Sequence, residues 1–178
     1  MSTNLQFIKE FNNTASTSSV SLTNIFNADY DVYKIFITHL STNSNVSYLY
    51  QRFLDSGGSV ISDSEYDYAG FDLHCDTTFG ERKNTSAAFM EIHFVGGTTF
   101  KQLGGIEITV FNPNDTSSYT FLTTQGSVED DLNGTQLMGH KGFGVHKSAE
   151  QITGVNFSLS DSATLDEGMK FSVYGVKE

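Results

Sequence analysis

The chain holds one cysteine, one proline and no tryptophan, and only 10 of its 178 residues are Lys or Arg. Each shortage removes a class of explanation. A lone Cys75 excludes an intrachain disulfide and a multi-cysteine zinc site. With 21 acidic residues the net charge is −11 and no basic cluster offsets it, so a phosphate backbone and an anionic membrane surface are both repelled. No nucleic-acid or membrane partner is expected. No run approaches 18 apolar residues, which argues against a membrane-spanning helix. The opening Met1-Ser-Thr-Asn-Leu-Gln-Phe has no basic stretch leading into an apolar core, so no secretory signal is expected, and synthesis in a reducing cytosol fits. Sequons such as Asn84-Thr-Ser and Asn133-Gly-Thr then reflect composition, not glycosylation. No stretch of eleven or more residues carries a 3.6-residue apolar stripe, which argues against helices.

What fills the chain instead is Ser, Thr and Asn together with 15 Phe and 8 Tyr; only 17% of residues are charged. Disordered chains are poor in aromatics, so this composition describes β-sheets with hydroxyl-rich outer faces. The length fits one domain over residues 1–178, enough to bury about 70% of its unfolded surface. Alternating segments recur at sandwich spacing: Leu5–Phe11, Ser18–Phe26, Val32–Leu40, Val46–Leu54, Ala88–Val95, Gly105–Phe111, Tyr119–Thr124 and His140–Val145. Two closing strands, Ile152–Ser160 and Met169–Lys177, follow. The Ser41-Thr-Asn-Ser-Asn45 cluster predicts a hairpin between Val32–Leu40 and Val46–Leu54, and Val60–Phe71 is expected to be irregular, with a helical turn at Ser64–Tyr68. Pro113 presets a turn in Asn112-Pro-Asn-Asp. About ten strands with short loops predict an all-β antiparallel sandwich of jelly-roll type.

Candidate chemistry is sparse. In His74-Cys75-Asp76, strand neighbours point to opposite faces, so His74 and Cys75 do not pair, and Cys75 is expected to be a buried or half-buried structural residue. His140 and His146 share a strand face but lie roughly 20 Å apart at ~3.3 Å per residue, too far for one metal; loop histidines at the surface are expected. Carboxylates cluster at Asp63–Asp67, Glu129–Asp131 and Asp161–Glu167 without the EF-hand pattern, although loop carboxylates with backbone carbonyls have the chemistry to hold calcium. Glycine pairs at Gly57-Gly58, Gly96-Gly97 and Gly104-Gly105 sit at strand ends and open no helix, so they mark turns or bulges, not phosphate cradles. No catalytic residue, metal ligand set or cofactor site is expected. One feature leans toward binding: Tyr48, Tyr50 and Arg52 share a strand face with Val46, a pattern suited to a protein interface or a sugar-stacking platform.

Several pieces in order resemble small β-sandwich virion proteins of tailed phages that infect marine and aquatic bacteria. They are Ser19-Val-Ser-Leu-Thr-Asn-Ile-Phe26, Tyr30-Asp-Val-Tyr-Lys-Ile-Phe-Ile37, Arg52-Phe-Leu-Asp-Ser-Gly-Gly-Ser-Val-Ile61, Ser64-Glu-Tyr-Asp-Tyr-Ala69 and Phe171-Ser-Val-Tyr-Gly-Val-Lys177. The resemblance is weakest from Gly96 to Ser148. It implies a non-enzymatic virion component that decorates the head or attaches to the tail, made in the host cytoplasm. It also implies a symmetric homo-oligomer, often a trimer, that contacts other virion proteins through apolar and hydrogen-bonded surfaces. The alternative is a receptor- or glycan-binding module of a tail fibre, with Tyr48, Tyr50 and Arg52 toward a host surface glycan. The resemblance marks core strands and turns and assigns no site residue.

Overall fold

The computed structural model describes residues 4–44, 46–76, 79–96, 103–130 and 136–177, and every regular element among them is a β-strand. There are twelve: β1 (Leu5–Asn12), β2 (Ser19–Leu22), β3 (Val32–Leu40), β4 (Val46–Leu54), β5 (Tyr66–His74), β6 (Phe79–Ala87), β7 (Met90–Gly96), β8 (Gly104–Phe111), β9 (Thr120–Asp130), β10 (Gln136–His146), β11 (Gly154–Leu159) and β12 (Lys170–Val176). They form two antiparallel sheets, β1-β12-β3-β8-β9-β10-β5-β6 and β2-β11-β4-β7. Without the hairpins β5–β6 and β9–β10, the remaining eight strands run first-eighth-third-sixth in one sheet and second-seventh-fourth-fifth in the other. That is the double Greek key of a jelly roll. The two extra hairpins lengthen one sheet from four strands to eight.

β3 and β4 are not hairpin partners. β3 lies between β12 and β8 in the large sheet, and β4 between β11 and β7 in the small one, so the two strands belong to different sheets. Both strands bury one face against the opposite sheet, and local alternation cannot distinguish that arrangement from direct pairing. The segment expected to be irregular overlaps β5, which begins at Tyr66 in place of the helical turn. β6 reads Phe-Gly-Glu-Arg-Lys-Asn-Thr-Ser-Ala and carries almost no apolar signal. It is a strand because it pairs with β5 at a sheet edge, where charged residues such as Glu81 and Lys83 also discourage further pairing.

The core lies between the sheets and is built from inward positions such as Tyr33, Ile35 and Ile37 of β3, Leu49 and Phe53 of β4, and Phe157 of β11. Phe157 and Phe171 stack across the two sheets with ring centroids 5.6 Å apart, a contact worth about 0.5–1.5 kcal/mol beyond its area burial. A bulge in β3 corrects the alternation at its end. Strict period two would turn His39 inward and Leu40 outward. The register shift between Thr38 and Leu40, with His39 at φ 56°, reverses both: His39 is exposed and Leu40 fully buried.

Candidate functional site

The inserted hairpins decide where unusual chemistry sits. β7 of the small sheet packs against β9, β10 and β5 of the large one. Along β10 the buried residues are Met138, His140, Gly142, Gly144 and His146, while Leu137, Lys141 and Phe143 are exposed. This is the reverse of ordinary patterning, with glycine and histidine inside and large apolar residues at the surface. The glycines make room for the imidazoles. A Cβ on Gly142 would meet His140 Nε2 at 2.7 Å and Thr124 Oγ1 at 2.8 Å, and one on Gly126 would meet His93 Nε2 at 2.5 Å.

Inside, a charged network joins four strands. Asp72 of β5 accepts from His140 Nδ1 at 2.8 Å and from Arg82 Nε at 2.6 Å, and Arg82 also pairs with Glu91 of β7. Burial favours the neutral carboxyl of Asp72, but the hydrogen bond from His140 and the Arg82 charge outweigh it and hold the group below its usual range. The His93 ring lies 5.4 Å from that of His140. Burial pushes His93 down to about 4, against the bond it makes with the Phe94 carbonyl. A carboxylate orienting an imidazole next to a hydroxyl, here Asp72, His140 and Thr124, has the chemical elements of acid–base catalysis. The His140 side chain, however, is 1% exposed, so substrate cannot reach it without opening the sandwich. We read the network as structural.

The histidines are therefore neither in a loop nor at the surface: His140 and His146 both lie in β10, on one face and fully buried. They do not meet. His146 stands beside Glu65 and Glu150, with Nε2 at 3.2 Å and 3.7 Å from their carboxylate oxygens. Burial pushes its pKa down, opposed by Glu150 and Glu65. Glu65 belongs to the 63–67 acidic cluster; Asp131 of the second cluster lies outside the described residues, as does Gly97. Cys75 is exposed, in the turn after β5, contrary to the expected burial, because β5 ends at His74.

Tyr48, Tyr50 and Arg52 lie half-buried along the outer face of β4, alternating with the buried Leu49, Gln51 and Phe53. The Val46 side chain lies outside the described residues. Each of the three is engaged within the chain. Arg82 lies over the Tyr48 and Phe94 rings, 4.1 Å and 3.8 Å from their centroids; Tyr50 stacks on Phe89 at 4.0 Å; Arg52 donates to the Ala88 carbonyl and to Ser158 Oγ.

A more open surface lies elsewhere. The outer face of the large sheet exposes Phe7, Leu73, Phe79, Phe121, Leu137 and Phe143, each about half exposed or more, and no second layer covers it among the described residues. A groove of ≈ 670 Å³ runs over its β9–β10–β5–β6 end, with Phe121, Phe143 and Ala69 in its lining and Asp67, Lys83 and Asn84 among its polar groups. Sequence reasoning missed this face because it expected the histidines of β10 in a surface loop and so gave that strand no polar interior. The available signal was the alternation Leu137, Lys141, Phe143 against Gly142, Gly144 and His146, since glycines on one face imply a crowded interior and push the apolar residues outward. Compared with protein-family models and with curated proteins, the chain matches none.

Proposed function

We propose that this chain is a non-enzymatic virion subunit of a tailed phage, decorating the capsid or attached to the tail, that assembles with copies of itself, as a trimer, and with other virion proteins. The supporting observation is the uncovered apolar face of the large sheet with its groove. Contiguous exposed apolar surface rimmed by polar residues marks interaction sites on soluble proteins. The jelly roll is shared by capsid and lectin domains, which agrees with this role without selecting it.

The test uses purified protein. Sedimentation of the wild type is expected to give a stable oligomer, and Phe121→Asp with Phe143→Asp to shift it to monomer. Each central aromatic anchor is worth about 2 kcal/mol or more, roughly 30-fold in dissociation constant. A wild-type monomer that never co-purifies with particles sinks the proposal.

A receptor- or glycan-binding role at a fibre tip is the second reading, supported by the half-buried Tyr50–Phe89 stack beside Arg52. On that reading Tyr50→Ala lowers adsorption to host cells about tenfold with the fold intact, one aromatic contact being worth ~1–2 kcal/mol. Unchanged adsorption counts against this face.

A further inference from the structure

Three side chains from separate segments converge where β10 ends. Glu65 immediately precedes β5, His146 is the last residue of β10, and Glu150 lies in the connection to β11. Each offers one donor atom, and all three atoms lie within 4.8 Å of one another. The imidazole is fully buried, wedged against the Tyr66 ring at 4.9 Å and the Phe53 ring at 6.0 Å. Its Nε2 lies 3.2 Å and 3.7 Å from oxygens of the two carboxylates, and neither ring nitrogen makes a well-formed hydrogen bond. Lys147, next in the chain, does not neutralise the pair, because its ammonium is paired with Asp67 at 2.7 Å.

A buried imidazole in this position has an electrostatic conflict. With the proton on Nδ1, the Nε2 lone pair faces two negatively charged oxygens. With the proton on Nε2, one N–H faces two acceptors and forms a regular hydrogen bond with neither, and a proton on both nitrogens would bury a charged ring. A cation among the three atoms resolves the conflict. Ligands around a tetrahedral zinc at 2.0–2.1 Å stand about 3.3–3.4 Å apart, and the observed 3.2 Å and 3.7 Å bracket that edge. The glutamates, 39% and 36% exposed on rotatable stems, give the ion and its water a path in from solvent. One imidazole nitrogen with two carboxylate oxygens suits zinc better than calcium, which takes six to eight oxygens, or magnesium, which demands an octahedron.

We propose that Glu65, His146 and Glu150 form a three-ligand Zn²⁺ site, with water in the fourth position. The ion clips the approach to β5, the end of β10 and the connection to β11 together at one end of the sandwich. Its role is to brace the fold, independently of how the outer face of the large sheet is used.

The test is calorimetric titration of Zn²⁺ into the full chain after chelator treatment, with melting followed in parallel. One ion per chain is expected, together with a rise in Tm of roughly 5–10 °C at free Zn²⁺ a hundredfold above Kd. Glu150→Gln, at a part-exposed position that leaves the core intact, is expected to weaken binding more than about 100-fold, beyond the range seen for losing an outer-shell partner. Glu65→Gln is expected to do the same, and the exposed His39→Ala to change nothing. Absence of binding at millimolar Zn²⁺ overturns the site. So does binding that both glutamine variants retain.

Discussion

Replacing Asp72 by Ala is expected to lower the unfolding free energy by about 3–5 kcal/mol, the cost typical of breaking a buried ion pair from one side. Asp72 is 2% exposed and holds two partners at once, His140 Nδ1 and Arg82 Nε. Removing it leaves the Arg82 guanidinium, 15% exposed, with Glu91 alone, and strips His140 of its acceptor. The damage extends to a second buried cluster, because the same guanidinium covers Tyr48 and Phe94, which pack with Val128 and Met138. Urea midpoints at unchanged m-value measure the effect. Asp72→Asn keeps the shape and one acceptor oxygen, so a smaller loss is expected. A loss below about 1 kcal/mol for the alanine variant would mean that the network contributes little and that Arg82 is held by its aromatic contacts.

Acidification from pH 6.5 to 4 is expected to remove roughly 3 kcal/mol through His93 alone. Its pKa is 6.5 in the unfolded reference and about 4 in the folded protein, where burial penalises the cation. Above pH 6.5 both states are neutral at this site and the full contribution is present. Between the two values the unfolded chain takes up the proton and the folded chain does not, so stability falls with pH. The groups facing His93 are His140 and Asp72; Asp72, held below its usual range, adds a further loss in the same direction at still lower pH. Unfolding free energies measured across this window should slope less steeply for His93→Met than for the wild type, whatever the variant's baseline. Parallel slopes would show that His93 is not the group responsible.

Alternation was legible wherever one face of a strand meets an apolar core. Val32–Leu40, Val46–Leu54 and Gly105–Phe111 appear within one residue of their observed bounds, and the all-β sandwich follows from them. β5 and β6 were illegible for the opposite reason. β6 turns Gly80 and Arg82 inward, and the partners of Arg82 are the carboxylates of β5 and β7 and an aromatic pair from β4 and β7. The histidines of β10 were placed at the surface because their polarity suggests water. Gly70 and Gly142 empty the space that lets the His140 ring lie inside.

By itself, then, the sequence determined the secondary-structure class and the absence of an intrachain disulfide, because composition and period-two patterning act locally. It also determined the net charge of −11. Only the tertiary structure decided that β3 and β4 belong to different sheets, that Asp72, Arg82 and His140 meet inside, and that Glu65, His146 and Glu150 meet at the rim. Those contacts join residues up to 85 positions apart, from Glu65 to Glu150. Their energy depends on which strands are neighbours, a property that no local pattern encodes.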